Sequence, residues 1–158
     1  MKMNKWTYLT LSVLLLAAGC APPKEKTKIT KEEDGLTCLS IAVLQNGSAL
    51  EFPVVSIDDT LEMSFAGLSG FRCHGNMVYP GGTLTVKDEN GEVLFKLDDV
   101  FVDLSDSGAR EDLVNKNISM FLETGSPMKS GHRYTWENII WDRRANRKIT
   151  GTTVITVE

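Results

Sequence analysis

Histidine is scarce in this chain: His74 and His132 are the two copies among 158 residues. Neither lies in a pattern that carries chemistry. There is no His-Glu-x-x-His, no Gly-x-Ser-x-Gly and no phosphate-cradling glycine loop, and no nucleophile–base pair can be named. An enzyme is therefore not expected, and no catalytic residue is assigned. Cysteine numbers 3, with no Cys-x-x-Cys. Cys73-His74 invites a metal or redox reading, but the ligand spacing is missing, so no metal or cofactor is expected. No apolar run reaches the roughly 20 residues that a membrane-spanning helix needs. Basic charge is in deficit, with 17 Lys and Arg against 21 Asp and Glu. An acidic chain suits neither nucleic acid nor an anionic membrane surface. No internal repeat is found.

What is present begins at the N-terminus. Lys2 and Lys5 precede an apolar stretch, Leu9 to Ala18, diluted only by Thr10 and Ser12. Its length suits the core of a signal peptide. It ends in Ala17-Ala18-Gly19-Cys20. Here the chain resembles the bacterial lipoprotein precursors, whose lipobox sets small residues before a cysteine. Position −3, usually Leu, is Ala17, with Leu16 one place further back. The resemblance implies cleavage by signal peptidase II after Gly19, acylation of Cys20 and membrane lipid as a partner. One acyl chain binds only marginally, whereas two or three on one cysteine would anchor firmly. The other reading is an ordinary secretory signal with a coincidental cysteine. If residues 1–19 are removed, the basic count falls from 17 to 15 against an unchanged 21 acidic residues, and the remainder carries −6.

The expected division is a signal peptide over 1–19, a lipidated cysteine and solvated tether over 20–36, and one domain over 37–158. Pro22-Pro23 and a run of charged residues mark the tether, whose coil would span roughly 20 Å. Ala21 after Cys20 would favour, in enteric bacteria, transport to the outer membrane, facing either the periplasm or the cell exterior. Cys38 and Cys73 are then left to each other. A bridge between them would close a loop of about 35 residues and add roughly 3–4 kcal/mol. Two free thiols are the alternative.

From Cys38 onward the pattern is that of short strands. Leu61 to Phe65, Ile118 to Leu122, Tyr134 to Trp141 and Lys148 to Val157 read as strands, several by clean alternation. Thr83–Lys87 and Glu92–Leu97 flank Asn90-Gly91, a hairpin signal. Pro80-Gly81-Gly82 reads as a turn, Val100–Val102 as a short strand, and 105–115 as one helical turn capped by Ser105 or Asp106. Asp98, Asp99, Asp103 and Asp106 lack the spacing of a calcium loop and read as a solvated face.

Pro127 to Trp136 contains Gly131-His-Arg-Tyr134. This resembles the corner of fibronectin type III and related immunoglobulin-like domains. There a tyrosine hydroxyl caps a backbone group as the chain enters the penultimate strand. The resemblance implies an all-β Greek-key sandwich, with Gly131 and Tyr134 as a tyrosine corner. Small Bacteroidales lipoproteins, fimbrillin-like ones among them, show similar closing hairpins. Trp136 and Trp141, an odd number of positions apart on one strand, belong on opposite faces. One packs inside, and the other is a candidate contact for a sugar or protein, beside Arg143 and Arg144. The expected function is a lipid-anchored, non-enzymatic binding or scaffolding module of the cell envelope, with an envelope protein or glycan as partner. The alternatives are an adhesin or pilus-type subunit, and a carbohydrate-binding accessory or small hydrolase.

Overall fold

The structure is a computed structural model that describes residues 25–158. The signal peptide, Gly19 and Cys20 lie outside the described residues. Twelve strands run in chain order: β1 (Ile29–Asp34), β2 (Ser40–Gln45), β3 (Ser48–Ala49), β4 (Val54–Val55), β5 (Thr60–Ala66), β6 (Met77–Val78), β7 (Pro80–Lys87), β8 (Val93–Leu97), β9 (Ala109–Arg110), β10 (Asn117–Glu123), β11 (His132–Asp142) and β12 (Lys148–Val157). Two short helices, α1 (Leu104–Ser107) and α2 (Glu111–Lys116), flank β9.

The fold is an all-β sandwich. One sheet has six strands in the order β1-β12-β11-β7-β8, with β4 also on β12; the other has four in the order β10-β5-β2-β3. The chain crosses between the two sheets after β1, β3, β4, β5, β8 and β10. Alternation explains the packing. Tyr134, Trp136, Asn138, Ile140 and Asp142 point inward from β11, and Ile149, Thr153, Ile155 and Val157 from β12. Leu61, Met63 and Phe65 of β5 and Met120 and Leu122 of β10 face them across the core.

Two glycines mark where the sheets touch. A Cβ on Gly151 would lie 3.0 Å from Met63 Sδ and 3.0 Å from the Phe65 ring. One on Gly82 would lie 2.7 Å from Met120 Cε. The indole N–H of fully buried Trp136 donates to Asn138 Oδ1 at 3.0 Å, which removes the cost of an unpaired donor in the core.

The tyrosine corner can be described atom by atom. The Tyr134 hydroxyl accepts the Lys129 N–H at 2.7 Å and donates to the Lys129 carbonyl at 3.4 Å. Gly131, at φ 83°, turns the chain there and donates its N–H to Val157 O at 2.7 Å.

Several expectations need correction. The tether does not extend to residue 36. Ile29–Asp34 is β1, antiparallel to β12 in continuous register from Ile29–Thr153 to Asp34–Lys148, and Leu36 is fully buried. It is an edge strand held by backbone bonds, and its charged side chains remain in solvent. Pro80-Gly81-Gly82 opens β7 and is not a turn. Val100–Val102 is not a strand. The helical segment divides in two, and Asp103 occupies the first N-cap without a side-chain cap bond. The Cys38–Cys73 bridge is absent, and both thiols are free. Cys38 is buried in the core, 7% exposed, while Cys73 lies on an exposed loop.

Candidate functional site

The six-stranded sheet has two distinct poles. At the near pole the chain enters, β11 begins, the β7–β8 turn closes and β12 ends. Here Thr27 N–H donates to Glu51 O at 2.9 Å and Thr153 Oγ1 to Lys28 O at 2.9 Å, so the chain is already docked before β1. At the far pole β1 ends, β7 begins and the β11–β12 loop carries Arg143, Arg144 and Arg147. At about 3.3 Å per residue, β11 separates the poles by about 33 Å.

The far pole is organised by one buried acid. Asp142 takes the last inward position of β11 and is 4% exposed. One carboxylate oxygen accepts the Arg72 N–H at 2.6 Å, and the other accepts the Arg144 N–H at 2.8 Å. Both are charge-assisted bonds, and together they tie the 70–76 loop to the β11–β12 loop. Arg72 Nη1 reaches Arg144 O at 3.4 Å, and the Arg144 guanidinium lies over the Tyr79 ring at 4.4 Å from its centroid. Arg72, Cys73, His74, Tyr79 and Arg144 line a cleft of about 350 Å³. That is near the lower end of the range for ligand sites, roughly 300–1,000 Å³.

The three loop arginines do different things. Arg143 is pinned. Its guanidinium pairs with Asp99, donates to Pro80 O at 3.0 Å and to Phe101 O at 3.0 Å, and lies 4.8 Å from the Trp141 ring centroid. Asp99 also accepts N–H groups from Gly82 at 3.3 Å and Phe101 at 3.1 Å. Burial acts to raise the Asp99 carboxyl, but these donors, Arg143 above all, outweigh it and hold it below its ordinary value. Arg147 donates to Gly70 O and lays its stem on Gly35. Arg144 is left exposed, facing the cleft with Arg72. Among the described residues, the arginine ion pairs are Arg110–Asp112 and Arg143–Asp99, and neither Arg72 nor Arg144 takes part in one.

The candidate contacts separate. Trp136 is fully buried and is no contact; its place on the inward face of β11 decides that. Trp141 lies half-buried on the outer face, flat against Gly81, where a Cβ would come within 2.3 Å of its ring. Arg143 beside it belongs to the scaffold. His132 is at the near pole, 3.6 Å from Glu89, far from His74. Cys73 lines the cleft. Its thiol donates to Phe71 O at 3.7 Å, and the nearby Glu111 carboxylate, then burial, raises it above the ordinary value. Cys38 is raised as well, chiefly by burial.

Arg72, Tyr79 and Asp142 escaped the sequence reading. Arg72 lies seventy positions from Asp142, and no local pattern joins them. Asp142 did leave a signal: it is an acid at an inward position of a strand whose other inward side chains are Tyr, Trp, Asn and Ile. Among the described residues, no group of three or more His, Cys, Asp or Glu is gathered closely enough to hold a metal ion. Nor, among them, is any helix long and apolar enough to cross a membrane.

No protein family matches the sequence, and no curated protein does. Among solved structures the chain is similar to the crystal structure of the C-terminal domain of wzt, with a TM-score of 0.54 and 9% identity, over 84% of this chain and 78% of that one. At that identity the likeness shows a shared fold and nothing more.

Proposed function

We propose that this protein is a lipid-anchored, non-enzymatic binding module of the bacterial cell envelope, outer-membrane if the cell is Gram-negative. It is held at its near pole and presents the far-pole cleft to an envelope protein or glycan. The observation that carries this reading is polarity. The chain bearing Cys20 joins the domain at one end of the sandwich, and the exposed Arg72 and Arg144 share a cleft at the other, about 33 Å away. Docking begins at Thr27. Seven residue steps from Cys20, even fully extended, reach about 25 Å. An acyl group on Cys20 would thus keep the domain against the membrane with the cleft directed outward.

The test is the intact mass of the mature protein from a bacterial membrane fraction, with and without Cys20→Ala. A chain starting at Cys20 and carrying two or three acyl groups, lost in the variant, is expected. An unmodified soluble chain would overturn the anchored reading.

A further inference from the structure

We propose that the far-pole cleft binds an oxyanion, a carboxylate or phosphate group of its ligand, through the guanidiniums of Arg72 and Arg144. This rests on reading the far pole as the binding pole, but not on the lipid anchor.

Charge is the first argument. The chain is acidic overall, with 21 acidic against 17 basic residues. Yet two arginines open into one small cleft, and among the described residues neither is in an ion pair. Like charges brought together repel unless an anion joins them. The nearest acid does not supply that anion from within. Both Asp142 oxygens are turned onto backbone N–H groups. Glu111 accepts a hydrogen bond from Asn115 Nδ2 at 3.4 Å and, among the described residues, is in an ion pair with neither arginine.

Preorganisation is the second argument. One buried carboxylate fixes the main chain of both arginines, and Tyr79 stacks under Arg144. A stacked, planar guanidinium loses little further freedom on binding, and its donor fork matches carboxylate and phosphate oxygens. The cleft also offers the His74 imidazole and the Tyr79 hydroxyl as hydrogen-bonding groups. Its volume of about 350 Å³ suits one sugar-sized or smaller acid.

The test is calorimetric titration of the purified mature protein, taken from whichever fraction holds it, at low salt with three probes: inorganic phosphate, glucuronate and neutral glucose. Saturable binding of phosphate or glucuronate, with none of glucose, is expected, and the preferred anion identifies the source of the oxyanion. Arg72→Gln and Arg144→Gln should each weaken binding roughly tenfold or more, the loss of one charge-assisted contact. Arg133→Gln at the near pole should leave binding unchanged. Binding of neither anion would overturn the proposal. So would equal weakening by all three variants, which would mean diffuse attraction. Circular dichroism excludes misfolded variants, and Arg72→Lys, which keeps the charge but lacks the fork, should recover only part of the affinity. Failure here leaves the intact-mass result standing, and failure of lipidation leaves this titration standing.

Discussion

Asp142→Asn is the sharpest perturbation of this structure. Asparagine keeps the shape of aspartate but offers one acceptor oxygen where two are used. Either the Arg72 or the Arg144 N–H, now 2.6 and 2.8 Å from carboxylate oxygens, must face an amide NH₂. The site is 4% exposed, so water cannot readily replace the lost acceptor. Leaving a buried donor unpaired costs about 1–3 kcal/mol, and the lost bond was charge-assisted, which points to the upper half of that range. At about 4 °C per kcal/mol for a domain of this size, Tm should fall by roughly 8–12 °C. Asp142→Ala, which leaves both N–H groups unpaired, should fall further. Asp98→Asn is the control: its side chain is 85% exposed beside Lys96, and such a surface pair contributes at most about 1 kcal/mol. Calorimetric unfolding reads all three. A Tm for Asp142→Asn within the small shift of the control would refute the view that this acid holds the far pole together. The same variant, still folded at room temperature, should also lose oxyanion affinity without any change to Arg72 or Arg144.

Three further outcomes follow from the same geometry. The Asp99–Arg143 pair should stabilise the fold at neutral pH. A carboxyl held below its ordinary value contributes fully above the unfolded pKa, about 3.9, and loses that contribution as pH falls through the folded value. The gap in Tm between the native chain and Asp99→Asn should therefore be constant near neutrality and close below about pH 4; a gap that widens in acid would contradict this. In the Cys20→Ala chain, maleimide should label Cys73 in the native state and Cys38 only after denaturation, because one thiol is exposed and the other is 7% exposed in the core. Failure of both thiols to label without prior reduction would point instead to a disulfide. Gly81→Val should expel Trp141, whose ring lies 2.3 Å from where a Cβ would stand, with a red shift of tryptophan emission and a loss of about 1–3 kcal/mol. An unchanged emission spectrum would mean that Trp141 does not depend on that glycine.

Legibility in the sequence followed the way each strand is stabilised. β5, β10, β11 and β12 bury one face, so their apolar residues alternate and the sequence announces them. The β7–β8 hairpin was equally plain, because Asp88-Glu-Asn-Gly91 supplies the acceptor and the turn. Asp88 Oδ1 takes N–H groups from Asn90 and Glu92 at 2.9 Å each, and Gly91 has φ 83°. β1 was hidden because it is held by backbone bonds to β12 at a sheet edge. Its Lys-Glu-Glu-Asp run stays solvated, and the same charges that mark a tether also guard an edge strand against further pairing. Pro80-Gly81-Gly82 misled for a different reason. Those glycines are small because Trp141 lies over one and Phe101 with Met120 over the other. Long-range neighbours explain them, and a local window sees only a turn.

The candidate site was half visible by the same logic. Arg143 and Arg144 stood out beside Trp141, but their separate duties, and that of Arg147 in the same loop, depend on partners far away in sequence. Asp99 holds Arg143 across 44 positions and Gly70 receives Arg147 across 77. Once these two are assigned to the scaffold, Arg144 is the arginine of this loop whose guanidinium is neither ion-paired nor donating to a backbone carbonyl among the described contacts. Arg72 joins it from a segment that has no strand of its own. The shared bond to Asp142 is therefore what turns two unrelated arginines into one arrangement. A buried acid spent on two backbone N–H groups, with the positive side chains left outside, stabilises the loops and leaves their charge available. Had the fold needed only to close this end of the sandwich, pairing Asp142 with either guanidinium would have served. The separation of the two tasks, backbone anchoring by the acid and exposure of the bases, is the feature on which the proposed oxyanion site rests.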